Sequence, residues 1–138
     1  MKRILLASHG KLALGLKDTL ELFIGKSDLI VAVGAYVDST SHYIEEIQKF
    51  IDSADDDGAI IFTDIYGGSV NQQVTRMVLA AGKKIPIVTS MNLPIVLSVA
   101  LSEEEMTSAA IEQLSRDCIP KVVTLQKEEE GDMDAFFE

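Results

Sequence analysis

A histidine, an aspartate and a Gly-Gly-Ser run stand where strand-like segments give way to helix-like ones, and they are the residues of this chain best suited to chemistry. His9 stands at the corner that ends the run from Arg3 to Ser8 and is one of only two histidines. A neutral imidazole attacks through one ring nitrogen when its proton is held on the other. A carboxylate that accepts that N–H fixes the tautomer and stabilises positive charge on the ring. Asp64, at the end of a third apolar run, is the candidate. Gly67, Gly68 and Ser69 then open a helical pattern, where backbone N–H groups, the helix dipole and a hydroxyl suit a bound anion. The two glycines let the backbone come close to it. A nucleophile, its orienter and an anion cradle fit a phosphoryl group. There is no GxxxxGK[ST] run and no acid cluster suited to Mg²⁺ with a nucleotide. The residues therefore read as a histidine that receives and passes on a phosphoryl group, with no metal and no cofactor, rather than as an ATP-dependent kinase.

These residues cooperate only if the elements before them are neighbours. Ile4-Leu5-Leu6 is continuously apolar, as in a strand buried on both faces of a parallel sheet. Leu12, Leu16, Leu20, Phe23 and Ile24 recur at helical spacing, and Gly25 suits a left-handed stop. Leu29 to Tyr36 is a second expected strand. Asp38 to Ser41 offer cap residues for a helix carrying Ile44, Ile47 and Ile51. Ala59 to Thr63 is a third strand, and Ser69 is the expected cap of a helix with Val70, Val74, Met77, Val78 and Ala81 inward and Gly82 at its end. Ile85 to Thr89 is a fourth strand, followed by Asn92 as cap, an early-turn Pro94 and a short apolar helix to about Leu101. Ser102 before Glu103, Glu104 and Glu105 reads as a helix start, with Met106, Ala110, Leu114 and Cys118 inward. Lys121 to Gln126 is a fifth strand. Strands alternating with helices imply an α/β fold, a three-layer sandwich on a mainly parallel, doubly wound sheet. Right-handed crossovers put every strand-to-helix loop on one edge. His9, the loop from Asp64 to Ser69, the loop from Ser90 to Asn92 and the residues near Asp38 then share a rim, and the crevice between oppositely directed crossovers is where ligands bind.

Composition limits the partners. The 138 residues suit one domain and are 47% hydrophobic and 25% charged. A net charge of −10 argues against nucleic acid or an anionic membrane, and it complements a basic protein partner. A single cysteine, Cys118, rules out an internal disulfide and a cysteine metal site. Neither a leader nor a membrane-length apolar run is read, so a cytoplasmic protein is expected. Residues 127–138 hold six acids and one lysine, half of the net charge. They read as an acidic tail, with Phe136 and Phe137 unassigned. His42 reads as a solvated residue, Asp38 as a cap, Cys118 as core and Asp55-Asp56-Asp57 as a solvated turn. A hydrolase using His9 as general base is disfavoured, because neither Ser8 nor Ser69 lies in a G-x-S-x-G elbow.

The pieces "SHG" after the first strand, "TDIYGGSVNQ" after the third and "MNLPIVL" after the fourth occur together on this framework. With them, the chain resembles the IIA component of the mannose/fructose/sorbose family of the bacterial phosphoenolpyruvate-dependent sugar phosphotransferase system (PTS), from Lys2 to about Gln126. The resemblance implies that His9 is phosphorylated on Nε2, with Asp64 orienting its ring and Ser69 and nearby amides, among them those of Gly67 and Gly68, cradling the phosphate. It implies receipt of the group from the phosphocarrier protein HPr and transfer to a IIB domain that serves the membrane components IIC and IID. It also implies four parallel strands plus one antiparallel edge strand, matched by Lys121 to Gln126 and exchanged across a homodimer. Residues 1–126 would be the IIA domain and 127–138 a tail outside the pattern. Tyr66 stands where some members have Trp. Without a IIB segment, this IIA would be a separate polypeptide. Two alternatives share the fold: the phosphoryl-carrier subunit of a dihydroxyacetone kinase, and a regulatory module signalling through phosphorylated His9.

Overall fold

A computed structural model describes residues 2–39 and 42–125. The order of elements is β1 (Arg3–His9), α1 (Leu12–Ile24), β2 (Ile30–Ala35), α2 (Tyr43–Ser53), β3 (Ala59–Thr63), α3 (Ser69–Ala80), β4 (Ile87–Val88), α4 (Leu93–Leu101) and α5 (Ser108–Ser115). The four strands form one sheet in the order β2-β1-β3-β4, parallel throughout. Both central strands are apolar at consecutive positions because both of their faces are covered. Successive side chains alternate between two cores. Leu5, Ala7, Ala59 and Ile61 pack with α2 and α3 through Phe50, Ile51, Val70 and Val74. Ile4, Leu6, Ile60 and Phe62 pack with α1, α4 and α5 through Leu20, Val96, Val99 and Ile111. The result is a three-layer α/β sandwich.

This layering creates the switch point. The chain leaves β1 for α1 on one face and leaves β3 for α3 on the other. Since β1 and β3 are adjacent, with Ala7 opposite Thr63, a crevice opens at their C-terminal ends. His9 and Asp64 stand at its mouth.

Several boundaries differ from expectation, for identifiable reasons. β2 stops at Ala35 because Tyr36 turns into the left-handed region, with φ 62°. β4 pairs over only two residues, in a run where Pro86 supplies a carbonyl to Ile61 N–H but has no N–H of its own. Ser102 closes α4, its N–H bonding to the Ser98 and Val99 carbonyls, rather than opening the next helix. α5 therefore begins only at Ser108, after Thr107 Oγ1 accepts from Ala110 N–H at 3.2 Å. Met106 and Cys118 are buried as expected, and Ile111 joins them. Gly68 rather than Ser69 is the cap of α3. Residues 121–125 form no strand in this chain, so the antiparallel edge strand is not part of the described sheet. Gln126, the tail at 127–138 with Phe136 and Phe137, and the cap candidates Thr40 and Ser41 lie outside the described residues.

The rim is packed tightly enough to require one glycine. Gly10 N–H donates to the Ala35 carbonyl at 2.7 Å, which draws the His9 corner onto the end of β2. A Cβ at Gly34 would strike the Gly10 carbonyl oxygen and come within 2.8 Å of Val37 Cγ2. Gly34→Ala is expected to destabilise the fold by about 1–3 kcal/mol, the usual range for overpacking; urea unfolding measures it, and an unchanged midpoint would refute the close approach.

Candidate active site

Ser8, fully buried, sets the corner. Its Oγ accepts the Ala13 N–H at 2.8 Å and so satisfies one of the first donors of α1 from outside the helix. Lys11, the formal cap, makes no such side-chain bond. Gly10 then takes φ 58°, a turn open to glycine, and leaves the His9 side chain at the rim with 38% of its surface exposed.

One oxygen of Asp64 holds His9 twice. Oδ2 accepts the backbone N–H of His9 at 2.8 Å and lies 2.8 Å from ring Nδ1. Oδ1 accepts the N–H of Ile65 at 3.0 Å. Burial, which leaves the side chain only 7% exposed, pushes the carboxyl upward in pKa. The His9 backbone bond, the His9 ring and the Ile65 N–H outweigh it and hold the pKa below its ordinary 3.8. An ionised carboxylate only accepts, so Nδ1 carries the ring proton and Nε2 presents its lone pair. Nε2 lies 3.0 Å from Ser69 Oγ at the start of α3.

The loop between them is tied down by α3. Asn71 Oδ1 accepts the Gly67 N–H at 3.1 Å, while its Nδ2 donates to buried Thr63 Oγ1 at 3.1 Å. Gln72 Nε2 donates to the Gly67 carbonyl at 2.6 Å. Gly68 N–H goes to the Ile65 carbonyl at 3.1 Å. The amides of Gly67 and Gly68 are thus engaged within the loop, and the donors that a helix leaves over begin at Ser69. The glycines serve geometry instead. Gly67 has φ 74°, and a Cβ at Gly68 would sit 3.5 Å from His9 Cε1. The tighter contact of that Cβ would be with the Ile65 carbonyl oxygen at 3.3 Å, so Gly68 lets the loop fold back closely on itself beside the imidazole.

Two tyrosines complete the surroundings and were not singled out by the sequence. Tyr36 Oη lies 3.2 Å from Ser69 Oγ, and its ring centroid is 5.7 Å from that of His9. Tyr43 packs on Tyr36 at 5.5 Å and hydrogen bonds to it. The bond with Ser69, then that with Tyr43, lowers the Tyr36 pKa. The Tyr43 pKa rises because it donates to Tyr36. Tyr36 ends the strand beside β1, which was the available signal, but contact across 33 residues to Ser69 has no local signature. A left-handed backbone at a bulky residue costs about 1–2 kcal/mol. The third rim loop contributes backbone: Met91 N–H bonds the Thr63 carbonyl at 3.0 Å, while Asn92 caps α4. His42 pairs at 3.3 Å with Glu45, both exposed. Among the described residues no group of three or more His, Cys, Asp or Glu could hold a metal ion, and no helix is long and apolar enough to cross a membrane.

Residues 3–115 match the family described as the PTS system fructose IIA component. The chain belongs to this family. A structure from Klebsiella pneumoniae, proposed to be a phosphoenolpyruvate-dependent sugar PTS permease, is 26% identical, with a TM-score of 0.68 over 87% of this chain and 90% of that one. The mannose/sorbose specific IIA subunit from Enterococcus faecalis is 19% identical, with a TM-score of 0.71 over 93% of this chain and 100% of that one. The PTS IIA protein associated with the fucose utilization operon of Streptococcus pneumoniae is 23% identical, with a TM-score of 0.64 over 87% and 92%. The last two share the fold. Membership in the IIA family gives the chain a sugar-specific phosphocarrier role within the PTS, with phosphoryl transfer between PTS components.

The Asp64 bonds make a prediction about acid stability in this IIA protein. A carboxyl whose pKa is lower folded than unfolded adds stability that is complete above the unfolded value and disappears as pH falls through the folded one. Asp64→Asn should therefore be less stable than wild type near neutrality, and the gap in urea midpoint should close as pH falls below about 3.8. Curves that stay parallel down to pH 2 would contradict the lowered pKa.

Proposed function

We propose that His9 is the phosphorylated residue: its Nε2 accepts a phosphoryl group from HPr and passes it to a IIB domain, which serves the IIC and IID membrane components. The observation that carries this reading is the double hold of Asp64 Oδ2 on His9, because it leaves Nε2 unprotonated and aimed at the first turn of α3. Asp64 orients the ring and offsets the positive charge it gains on phosphorylation. Ser69 and the first-turn N–H groups of α3 receive the phosphoryl oxygens, while Gly67 and Gly68 shape the space. No large driving force is required of the protein, since transfer between two nitrogens is nearly balanced; positioning and charge neutralisation are its task. Exposed Leu12, Tyr36, Ile65 and Tyr66 border the corner and the loop, giving partners an apolar surface beside His9. The −10 charge favours encounter with a basic carrier. Residues 1–126 act as the carrier domain in the cytoplasm, and 127–138 form an acidic extension.

Incubation with phosphoenolpyruvate, enzyme I and HPr should add one acid-labile phosphate, seen by intact mass, that His9→Ala lacks. Uptake by His9→Ala, or none by wild type, refutes the assignment. Asp64→Asn should slow uptake by about 100-fold or more, because the amide no longer enforces the tautomer. Added IIB should then discharge the protein; retained phosphate would favour a regulatory module.

We further propose a homodimer built by exchange of the segment from Lys121 to Gln126. Val122 is 94% and Leu125 84% exposed, in a segment that has no ladder among the described residues. An extended apolar segment buries such side chains by joining a sheet edge. Sedimentation should give a dimer at micromolar concentration, and Val122→Asp should shift it to monomer. A wild-type monomer at that concentration would dismiss the exchange.

A further inference from the structure

A chain of hydroxyls runs outward from His9 past Ser69. Ser69 Oγ lies 3.0 Å from Nε2, Tyr36 Oη lies 3.2 Å from Ser69 Oγ, and Tyr43 bonds to Tyr36. The carboxylate end dictates every direction. Asp64 accepts, so Nδ1 donates and Nε2 accepts from the Ser69 hydroxyl. Ser69 has then committed its only hydrogen, so Tyr36 donates to Ser69 and Tyr43 donates to Tyr36. At rest the lone pair that must attack phosphorus is therefore covered by the Ser69 hydrogen.

We propose that Tyr36 is a positioning residue for phosphoryl transfer, holding the Ser69 oxygen in place while the Ser69 hydrogen turns from Nε2 to an oxygen of the incoming phosphoryl group. This inference rests on the role proposed above for His9. In the step, the Nε2 lone pair forms the new N–P bond and the P–N bond to the donor histidine breaks. The donor nitrogen keeps that electron pair. Nδ1 retains its proton, and no proton leaves Ser69 or Tyr36, so the hydroxyls act by donating and not as acids or bases. A serine turning without an anchor would exchange one bond for another with its oxygen unconstrained; the Tyr36 bond to the Ser69 lone pair persists through the turn.

Packing does not account for a tyrosine at this place. Tyr36 is 59% exposed and sits at φ 62°, where bulky residues are disfavoured. The unusual backbone brings the phenol back over the rim, with its ring inclined 37° to the imidazole.

The test combines Tyr36→Phe, Ser69→Ala and the double variant in single-turnover transfer from phosphorylated HPr, with ¹⁵N spectra of the His9 ring in each isolated protein. Tyr36→Phe is expected to lower the maximal rate about 5- to 10-fold, the loss of one neutral hydrogen bond, with the half-saturating HPr concentration unchanged. In the Ser69→Ala background the same change should cost nothing more. The Nε2 resonance of unphosphorylated Tyr36→Phe should shift from wild type, because Ser69 loses its anchor. An unchanged rate, an effect on half-saturation alone, an equal loss in the Ser69→Ala background, or an unmoved Nε2 resonance overturns the proposal. A wild-type protein that takes up no phosphate at all sinks the His9 reading instead, and the ¹⁵N comparison still reports on the hydroxyl chain by itself.

Discussion

Two donors of one residue share a single carboxylate oxygen, and the arrangement of the rim follows from that constraint. A side chain held only at its ring can swing about its two torsions. Here the His9 backbone N–H and ring Nδ1 both meet Asp64 Oδ2, so the ring and the strand end are fixed to the same point. The carboxylate reaches both because β1 and β3 are adjacent and parallel, with Ala7 opposite Thr63. Its other oxygen is held by Ile65 N–H, which stops it from turning away. Tautomer, ring plane and the direction of every hydroxyl bond beyond Nε2 are consequences.

The same rim contrasts with the charge of the whole chain. The protein carries −10 overall, and the groups gathered near Nε2 are neutral: Ser69, Tyr36 and the start of α3. Neutral donors hold an anion less tightly than a guanidinium or an ammonium does. On the proposed reading this suits a carrier, because a phosphoryl group bound too firmly would not move on. Loop rigidity supplies what charge does not. Asn71 and Gln72 bind the loop from Asp64 to Gly68 to its own helix, so the donors stand in place before any anion arrives.

How far the sequence could be read varied with the kind of interaction. The first three strands, α1 and α4 were legible almost to their ends, since buried strands, helical stripes, Asn92 and Gly25 are local signals. The strong Ser-Glu-Glu-Glu pattern misled, because Ser102 was already needed to close α4 and its Oγ turns to Glu104 N–H at 3.2 Å. Ser69 misled in a different way. As a cap its hydroxyl would face its own helix, whereas it faces His9 and Tyr36, and Gly68 takes the cap position. Residues 121–125, read from the sequence as part of a fifth strand, form no ladder among the described residues, because an apolar run does not by itself say whether a sheet edge is there to receive it.

By itself the sequence determined the alternation of strands and helices, and hence a parallel sheet with its loops on one edge. It also determined which types of residue stood on that edge: an imidazole, a carboxylate and a glycine-rich helix start. These are matters of period, burial and turn chemistry, and each is written within a dozen residues. Only the tertiary structure decided which of those residues touch. Strand order, crossover direction and register bring His9 within 2.8 Å of a residue 55 positions away, and the left-handed turn at Tyr36 adds a phenol that no local pattern announced. The reason is physical: propensity acts between neighbours in the chain, whereas hydrogen-bond partners are set by how the two cores clamp the sheet between them.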